Sequence, residues 1–573
     1  MSDFSQLKRN LKKDYSQLIP VKVALLGDTA TQFLQQALRG AGFDYGFDLQ
    51  IQEADFNQIE RQVFDTASEL YEFNPEIIII FQSSHKLMGK YNKLPPRQYS
   101  RLAEDRLVLI DSLCLAIKSK LRSKIIYYNY TEINDSVFGS YANKTEQSFL
   151  FQLRKLNYEL MLYAAKNANF YICDISNIQN EVGKSVMFQP SVYINSEMVL
   201  SIDVLPLVAA RTVDLIGSTN GKFNKCLILD LDNTLWGGVI GDDGLENIQL
   251  GSLGTGKAFT EFQYWIKKLK NRGIILAVCS KNTESVAKEP FEKHPDMVLH
   301  LDDIAVFIAN WDNKVENIRQ IQGILNIGFD SMVFLDDNPF ERNIVRENIP
   351  AITVPELPID PADYLEYLYS LNLFETVSFS DEDAERTKQY QVEAKRAILQ
   401  TSYVDEGDFL RSLNMLSLVE PFNKFNTPRV AQLSQRSNQF NLRTIRYAEA
   451  DIEQLIQQKD TFTFAFALED RFGDNGLISI IILQKEGGDT LFINTWLMSC
   501  RVLKRGMEHF ILNTITDFAK VNRYSYLKGE YIPTAKNEMV KYHYQNLGFE
   551  QTSGHFLLDV KGYESKKCFI NRK

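Results

Sequence analysis

Four short stretches in the middle third of this chain hold the residue types that phosphoryl chemistry uses. In CLILDLDNT, Asp230 and Asp232 stand just past a buried apolar strand. Two residues apart on extended backbone, their side chains point to the same side while Leu231 turns to the core. One carboxylate can attack a phosphorus atom and the other can shuttle a proton. AVCSKN ends a second strand at Ser280, a hydroxyl able to hold a phosphate oxygen, and NWDNKVENI supplies Lys314 as a compact cation for the same group. MVFLDDNPFER ends a third strand in Asp336 and Asp337. Carboxylates from separate strand ends suit a hard, octahedral ion such as Mg²⁺, which offsets their repulsion from a phosphate dianion. A single strand-end Asp is ordinarily a turn or helix-cap residue; Asp230, Asp232, Ser280, Lys314 and Asp336 in this order point to one site.

Such residues need a parallel sheet, whose strand ends are where α/β proteins bind ligands. KCLILDLDNT, ILAVCS and MVFLDD alternate with helical patterns across residues 221–379, which close in a stretch carrying Pro350, Pro355, Pro358 and Pro361. A first α/β unit spans residues 1–220, with apolar strands at VKVALLGD, EIIIIF, KIIYYNY and FYICD. Phe4, Leu7, Leu11 and Tyr15 mark one stripe of an N-terminal helix. A third unit, residues 380–573, starts on a helix with Ser380 as N-cap and Asp383 at the capping-box spacing. It continues in a meander of strands at TFTFAFAL, GLISIIIL and TLFINTWL, an α+β pattern with a mostly antiparallel sheet. The fold class is therefore α/β and multidomain: two three-layer α/β units, then an α+β unit.

Composition narrows the function further. At 573 residues the chain exceeds one hydrophobic core, and 45% hydrophobic residues exclude wholesale disorder. A net charge of −10 disfavours a general nucleic-acid binder. The longest apolar run, Ile77 to Phe81, falls far short of the roughly 20 residues that span a bilayer. With no secretory pattern and six scattered cysteines, the expectation is a cytoplasmic protein with reduced thiols and no membrane span. Its six histidines are too dispersed for a metal cluster; His509 and His543 read as partly buried surface residues.

The order Asp-x-Asp-x-Thr, Ser, Lys, Asp-Asp resembles the haloacid dehalogenase (HAD) phosphotransferase superfamily over about 130 residues. By that resemblance Asp230 forms an aspartyl-phosphate and Asp232 is the general acid/base. Thr234, Ser280 and Lys314 bind the phosphoryl group, and Mg²⁺ is held by Asp230, the backbone carbonyl of Asp232, and Asp336. LWGGVIGDDGLENIQLG reads as a hairpin flap beside the site, with no room for a cap domain. Capless members have open sites, which implies a bulky substrate or a partner domain as lid.

The text DLDNTLWGGVIGDDG, with VCSKN, NWDNKVENI and VFLDDNPFERNIVRENIP, is similar to the FkbH-like branch, HAD class IIIC; QRSNQFNLRT, DRFGDNGLISI and WLMSCRVLKRGME extend the likeness through the C-terminal third. The resemblance implies Mg²⁺-dependent dephosphorylation of a small phosphorylated three-carbon substrate, 1,3-bisphosphoglycerate. The glyceryl group then passes to the phosphopantetheine thiol of an acyl carrier protein. A plain HAD phosphatase of a small phosphomonoester, or a carrier-docking binding protein, are the alternatives.

The C-terminal unit also resembles the GCN5-related N-acetyltransferase (GNAT) fold, through TLFINTWLMS, the turn CRVLKRG, the helix MEHFILNTITDFAK and YHYQNLGFEQ. A turn at a helix N-terminus offers N–H groups to an anion, the pyrophosphate of coenzyme A or the phosphate of a pantetheine arm. Arg501, Lys504 and Gly506 are its binding candidates; Lys504 replaces the first glycine of the family's Arg-x-x-Gly-x-Gly loop, which favours the pantetheine reading. Cys500, beside Arg501, is a candidate acyl-thioester residue or a small packed hydrophobe. Cys226 and Cys279 belong to packed strands. LLGDTATQFL resembles the opening block of SGNH hydrolases, with Thr29 in place of serine and no Asp-x-x-His, which implies a non-catalytic scaffold, docking surface or lid.

Overall fold

Strands buried on both faces read as continuous apolar runs, and those of the first third form one parallel sheet. The computed structural model describes residues 3–379, 386–400, 403, 405–499, 502–534, 536–552 and 554–573. The chain divides into two compact units, Met1–Gly217 and Ser218–Lys573.

In the first unit, β1 (Ile19–Gly27), β2 (Phe47–Glu53), β3 (Ile77–Phe81), β4 (Lys124–Tyr128) and β5 (Phe170–Cys173) lie in the order β2-β1-β3-β4-β5, all neighbours parallel. Ala24, Leu26, Ile78, Ile80 and Tyr127 pack with helices Leu102–Lys120 and Phe149–Lys166. The alternate residues Leu25, Ile79 and Ile126 are equally buried, and Tyr128 meets Thr212 of helix Leu205–Thr219 at 2.6 Å. That makes the expected three layers. The N-terminal helix is shorter than its apolar stripe suggests, ending at Asn10 and leaving Tyr15 outside. Asn10 Nδ2 donates to the Gly40 carbonyl at 3.0 Å and to Asp44 at 2.8 Å, pinning the helix end to its neighbour. A Cβ on Gly40 would lie 2.3 Å from the Leu7 carbonyl oxygen, so only glycine admits this approach.

The second unit holds two sheets. β6 (Cys226–Leu229), β7 (Ile275–Ser280), β8 (Ile304–Ala309) and β9 (Met332–Leu335) are parallel, in the order β8-β7-β6-β9. Leu227, Leu229, Leu276, Val278, Val333 and Leu335 face one core; Cys226, Ile228, Ala277, Cys279 and Phe334 face another. This sheet too is the middle of three layers, and burial pushes the Cys226 and Cys279 thiols up, as packed residues require. The expected hairpin flap is instead a single antiparallel bridge, Gly237 to Gln249, enclosing the short helix Ile240–Asp243. Helix Arg386–Gln400 lies against β7 and β8: Tyr390 is buried among their side chains, and Gln391 donates to the carbonyls of Asp302 and Ile304 at 3.1 and 2.9 Å. The expected cap at Ser380 and Asp383 lies outside the described residues.

The second sheet has eight strands, β10 (Met415–Glu420), β11 (Thr461–Asp470), β12 (Gly473–Glu486), β13 (Thr490–Met498), β14 (Tyr526–Gly529), β15 (Glu550–Gln551), β16 (Phe556–Asp559) and β17 (Ile570–Arg572). Their order is β15-β16-β14-β13-β12-β11-β10-β17, antiparallel except where β13 meets β14 and β10 meets β17. Helix Met507–Val521 covers one face, and helices Thr427–Arg436 and Glu449–Gln457 the other. His543 corrects its surface reading: it is 8% exposed and meets Phe440 and Trp496 edge-on, with ring centroids 4.9 and 4.5 Å away. Among the described residues no helix is long and apolar enough to cross a membrane, and Cys114, Cys173, Cys226, Cys279 and Cys568 are free thiols.

Candidate active site

The site grows from the carboxyl ends of β6, β7 and β9. The β6/β9 ladder continues one step past the strands, Asp230 N–H donating to the Leu335 carbonyl at 3.0 Å, which sets Asp230 beside Asp336. One carboxylate oxygen from each of Asp230, Asp336 and Asp337 falls within 4.8 Å of the others. Lys314, first residue of helix Lys314–Leu325, is buried and reaches Asp230 Oδ2 at 2.9 Å and Asp336 Oδ2 at 2.5 Å. Burial opposes the charge on Lys314, but Asp230 and Asp336 outweigh it and hold the ammonium above its usual range. Burial first, and then the neighbouring Asp230 charge, push Asp336 and Asp337 up. Three clustered carboxylates against one ammonium leave an excess negative charge that a divalent cation fits.

Asp232 takes a different position. Its side chain turns toward the flap: Oδ1 accepts from Trp236 Nε1 at 2.9 Å and from Ile240 N–H at 3.0 Å, and Oδ2 accepts from Asn282 Nδ2 at 3.1 Å. Burial raises its pKa against these donors, with the Asp230 charge adding to the rise. Directly after Asp232 the chain turns at Asn233, whose φ is 53° and whose Oδ1 accepts from Gly238 N–H at 2.9 Å. Thr234, fully buried, accepts from Asp337 N–H at 3.1 Å and so ties this turn to the end of β9. Ser280 is the last residue of β7 and 1% exposed.

Asp230, Asp336 and Lys314 of the expected set are thus in direct contact, with Asp337 joining the carboxylates. Thr234 touches Asp337, and Asp232 lies apart from the carboxylate cluster through its side chain. Three supports were not read from the sequence. Trp236 and Asn282 hold Asp232, and Arg342 Nη1 donates at 2.7 Å to the carbonyls of both Asp336 and Asp337. Asn282 stands two residues after Ser280, but an amide announces no chemistry until the carboxylate it faces is known.

In the C-terminal unit, Cys500 and Arg501 lie outside the described residues. Lys504 is exposed with a φ of 62°, and Gly506, φ 76°, caps helix Met507–Val521. Arg505 between them is turned inward, bonded to Glu393 and 3.3 Å from Asp470.

The family described as the FkbH N-terminal domain matches residues 22–217. No curated protein matches the chain. Among solved structures, the N-terminal part of the protein BF1531 from Bacteroides fragilis, described as containing a phosphatase domain complexed with Mg, is 58% identical with a TM-score of 0.64; the match covers 66% of this chain and all of that one. The ribosomal-protein-S18-alanine N-acetyltransferase of Escherichia coli (14% identity, TM-score 0.21, 25% of this chain and 94% of that one) and the GNAT domain of S. lividans PAT (17%, 0.20, 25% and 89%) are similar too slightly to bear on the second unit. On the N-terminal match and the 58% identity across all of the solved N-terminal part of the Bacteroides protein, the chain belongs to the FkbH-like family.

Proposed function

We propose that this chain is a Mg²⁺-dependent phosphatase that also passes the acyl group of its substrate to a carrier thiol. The observation that carries the first half is the convergence of Asp230, Asp336, Asp337 and Lys314 at adjacent strand ends. The Mg named for the Bacteroides structure, 58% identical, supports the ion. Asp230, Asp336 and the Asp232 backbone carbonyl would hold Mg²⁺, with Asp337 alongside; when bound, the ion offsets the charge of the phosphate.

Asp230 attacks the phosphorus of a phosphomonoester, forming an aspartyl-phosphate as the bond to the leaving oxygen breaks, and Asp232 gives that oxygen its proton. Water then attacks the same phosphorus, Asp232 takes its proton back, and inorganic phosphate leaves with Asp230 restored. Ser280, Thr234 and Lys314 hold the phosphoryl oxygens. The acyl phosphate of 1,3-bisphosphoglycerate must be spared this route, because cleavage at phosphorus would leave an inert carboxylate. Thioester formation instead requires a thiolate, from the carrier's phosphopantetheine or from Cys500, to attack the carbonyl carbon and expel phosphate. Loading glyceryl thus consumes both phosphates by different bonds, which is a reason for the chain to carry residues 380–573 in addition to the phosphatase. The first unit we read as non-catalytic, since the Thr29 hydroxyl is wholly buried.

Intact mass of a phosphopantetheinylated carrier, after incubation with this protein, Mg²⁺ and 1,3-bisphosphoglycerate, tests the proposal. A carrier heavier by one glyceryl unit is expected, and Asp230→Asn should stop phosphate release by at least about a thousandfold. Free phosphate beside an unmodified carrier would reduce the protein to a phosphatase.

A further inference from the structure

β13 and β14 run parallel from Thr490↔Tyr526 to Ile493↔Gly529, and there β14 ends while β13 continues to Met498. Two parallel strands that part leave facing backbone donors and acceptors, a slot into which an extended, amide-bearing chain such as pantetheine can add as a strand. In this chain the slot is filled. Met498 N–H donates to the Phe440 carbonyl at 3.0 Å, Leu442 N–H to the Trp496 carbonyl at 3.2 Å, and Ile532 N–H to the Leu442 carbonyl at 2.9 Å. Residues 440–442 therefore bond to β13 on one side and to the chain beyond β14 on the other, with Asn441 bridged antiparallel to Leu497.

The insert is anchored at both faces. Phe440 and Leu442 are buried in the core beneath the sheet. On the other face Arg443 donates to Glu530 Oε2 at 2.6 Å and to the Asn494 carbonyl at 3.0 Å, and buried Asn537 donates to the Asn441 carbonyl at 2.9 Å. A ligand adding to β13 here would have to break three backbone bonds and expose two apolar side chains.

We propose that Phe440–Arg443 is a permanent strand in this slot, so that no pantetheine arm, of coenzyme A or of a carrier, adds to the second sheet there, and acyl transfer by this chain draws only on the phosphoryl-activated donor. The consequence for transfer rests on the function proposed above; the binding test does not, because it needs no turnover. Titration of the full chain with coenzyme A and with acetyl-CoA should show no saturable binding up to about 1 mM. Hydrogen exchange should find the Leu442, Met498 and Ile532 amides protected without ligand, and Arg443→Ala should lose at least tenfold protection at Leu442 and Ile532. Saturable coenzyme A binding below about 0.1 mM, or amides that become protected only when it is added, would overturn the proposal. Phosphate release from the same samples reports separately on the phosphatase.

Discussion

Lys504 occupies a left-handed backbone position, φ 62°, that costs an L-residue roughly 1–2 kcal/mol and that glycine takes freely. Lys504→Gly should therefore stabilise the second unit by about 0.5–1 kcal/mol, after subtracting glycine's own entropy, readable in denaturant unfolding. Loss of carrier loading in that variant, with phosphate release intact, would mark the exposed ammonium as a contact to the pantetheine phosphate. Asn282 makes a second case. It touches the general acid/base candidate rather than substrate, so Asn282→Ala should lower kcat by about ten- to a hundredfold with KM little changed, short of the loss on removing Asp230. An unchanged kcat would leave Asp232 positioned by Trp236 and Ile240 alone.

Helix Arg386–Gln400 shows how much one element can carry. Its Tyr390 packs against the four-stranded sheet, while half-buried Glu393 and buried Arg396 join buried Arg505 and the Asp470 carboxylate in a quartet, Arg396 meeting Asp470 at 2.8 Å. Glu393→Gln leaves two buried guanidiniums sharing Asp470, a loss of about 3–5 kcal/mol; a loss under about 1 kcal/mol would mean that water reaches the quartet. None of this is legible in the sequence, because ion partners here are as much as 112 residues apart. Legibility ran with periodicity elsewhere. The apolar runs at β1, β3, β4, β6, β7 and β9 mark themselves, but β2 alternates Phe47, Leu49 and Ile51 with Asp48, Gln50 and Gln52, as an edge strand does, and its pattern is easily passed over. β8, also at an edge, reads IAVFIA and lies between two chemically richer motifs. At the site, residues with reactive groups were found from type and spacing, whereas Trp236, Asn282 and Arg342 act only through what they hold.

Each of the two units has its own hydrophobic core, so the whole chain should unfold in more than one step. Two independent handles distinguish the steps. In the first unit, both oxygens of Asp28 accept from Ser83 N–H, at 2.9 and 3.0 Å, and burial pushes this carboxyl up from 3.8 to about 6. A raised carboxyl favours the folded state when protonated: its contribution is full below the unfolded value and is lost as pH rises through about 6. Ionised Asp28 therefore costs the first unit up to about 3 kcal/mol at pH 8, and Asp28→Asn should raise that unit's transition at pH 8, with the gain shrinking toward pH 4. In the second unit, Mg²⁺ at a hundred times its dissociation constant should add about 2.7 kcal/mol, removed by EDTA or by Asp336→Asn. Calorimetry of the full chain is expected to show one transition that follows Asp28→Asn and pH, and another that follows Mg²⁺. A single transition that moves with both would mean that the two cores unfold as one cooperative body, and that a ligand at Asp230 stabilises the Asp28 end of the chain as well.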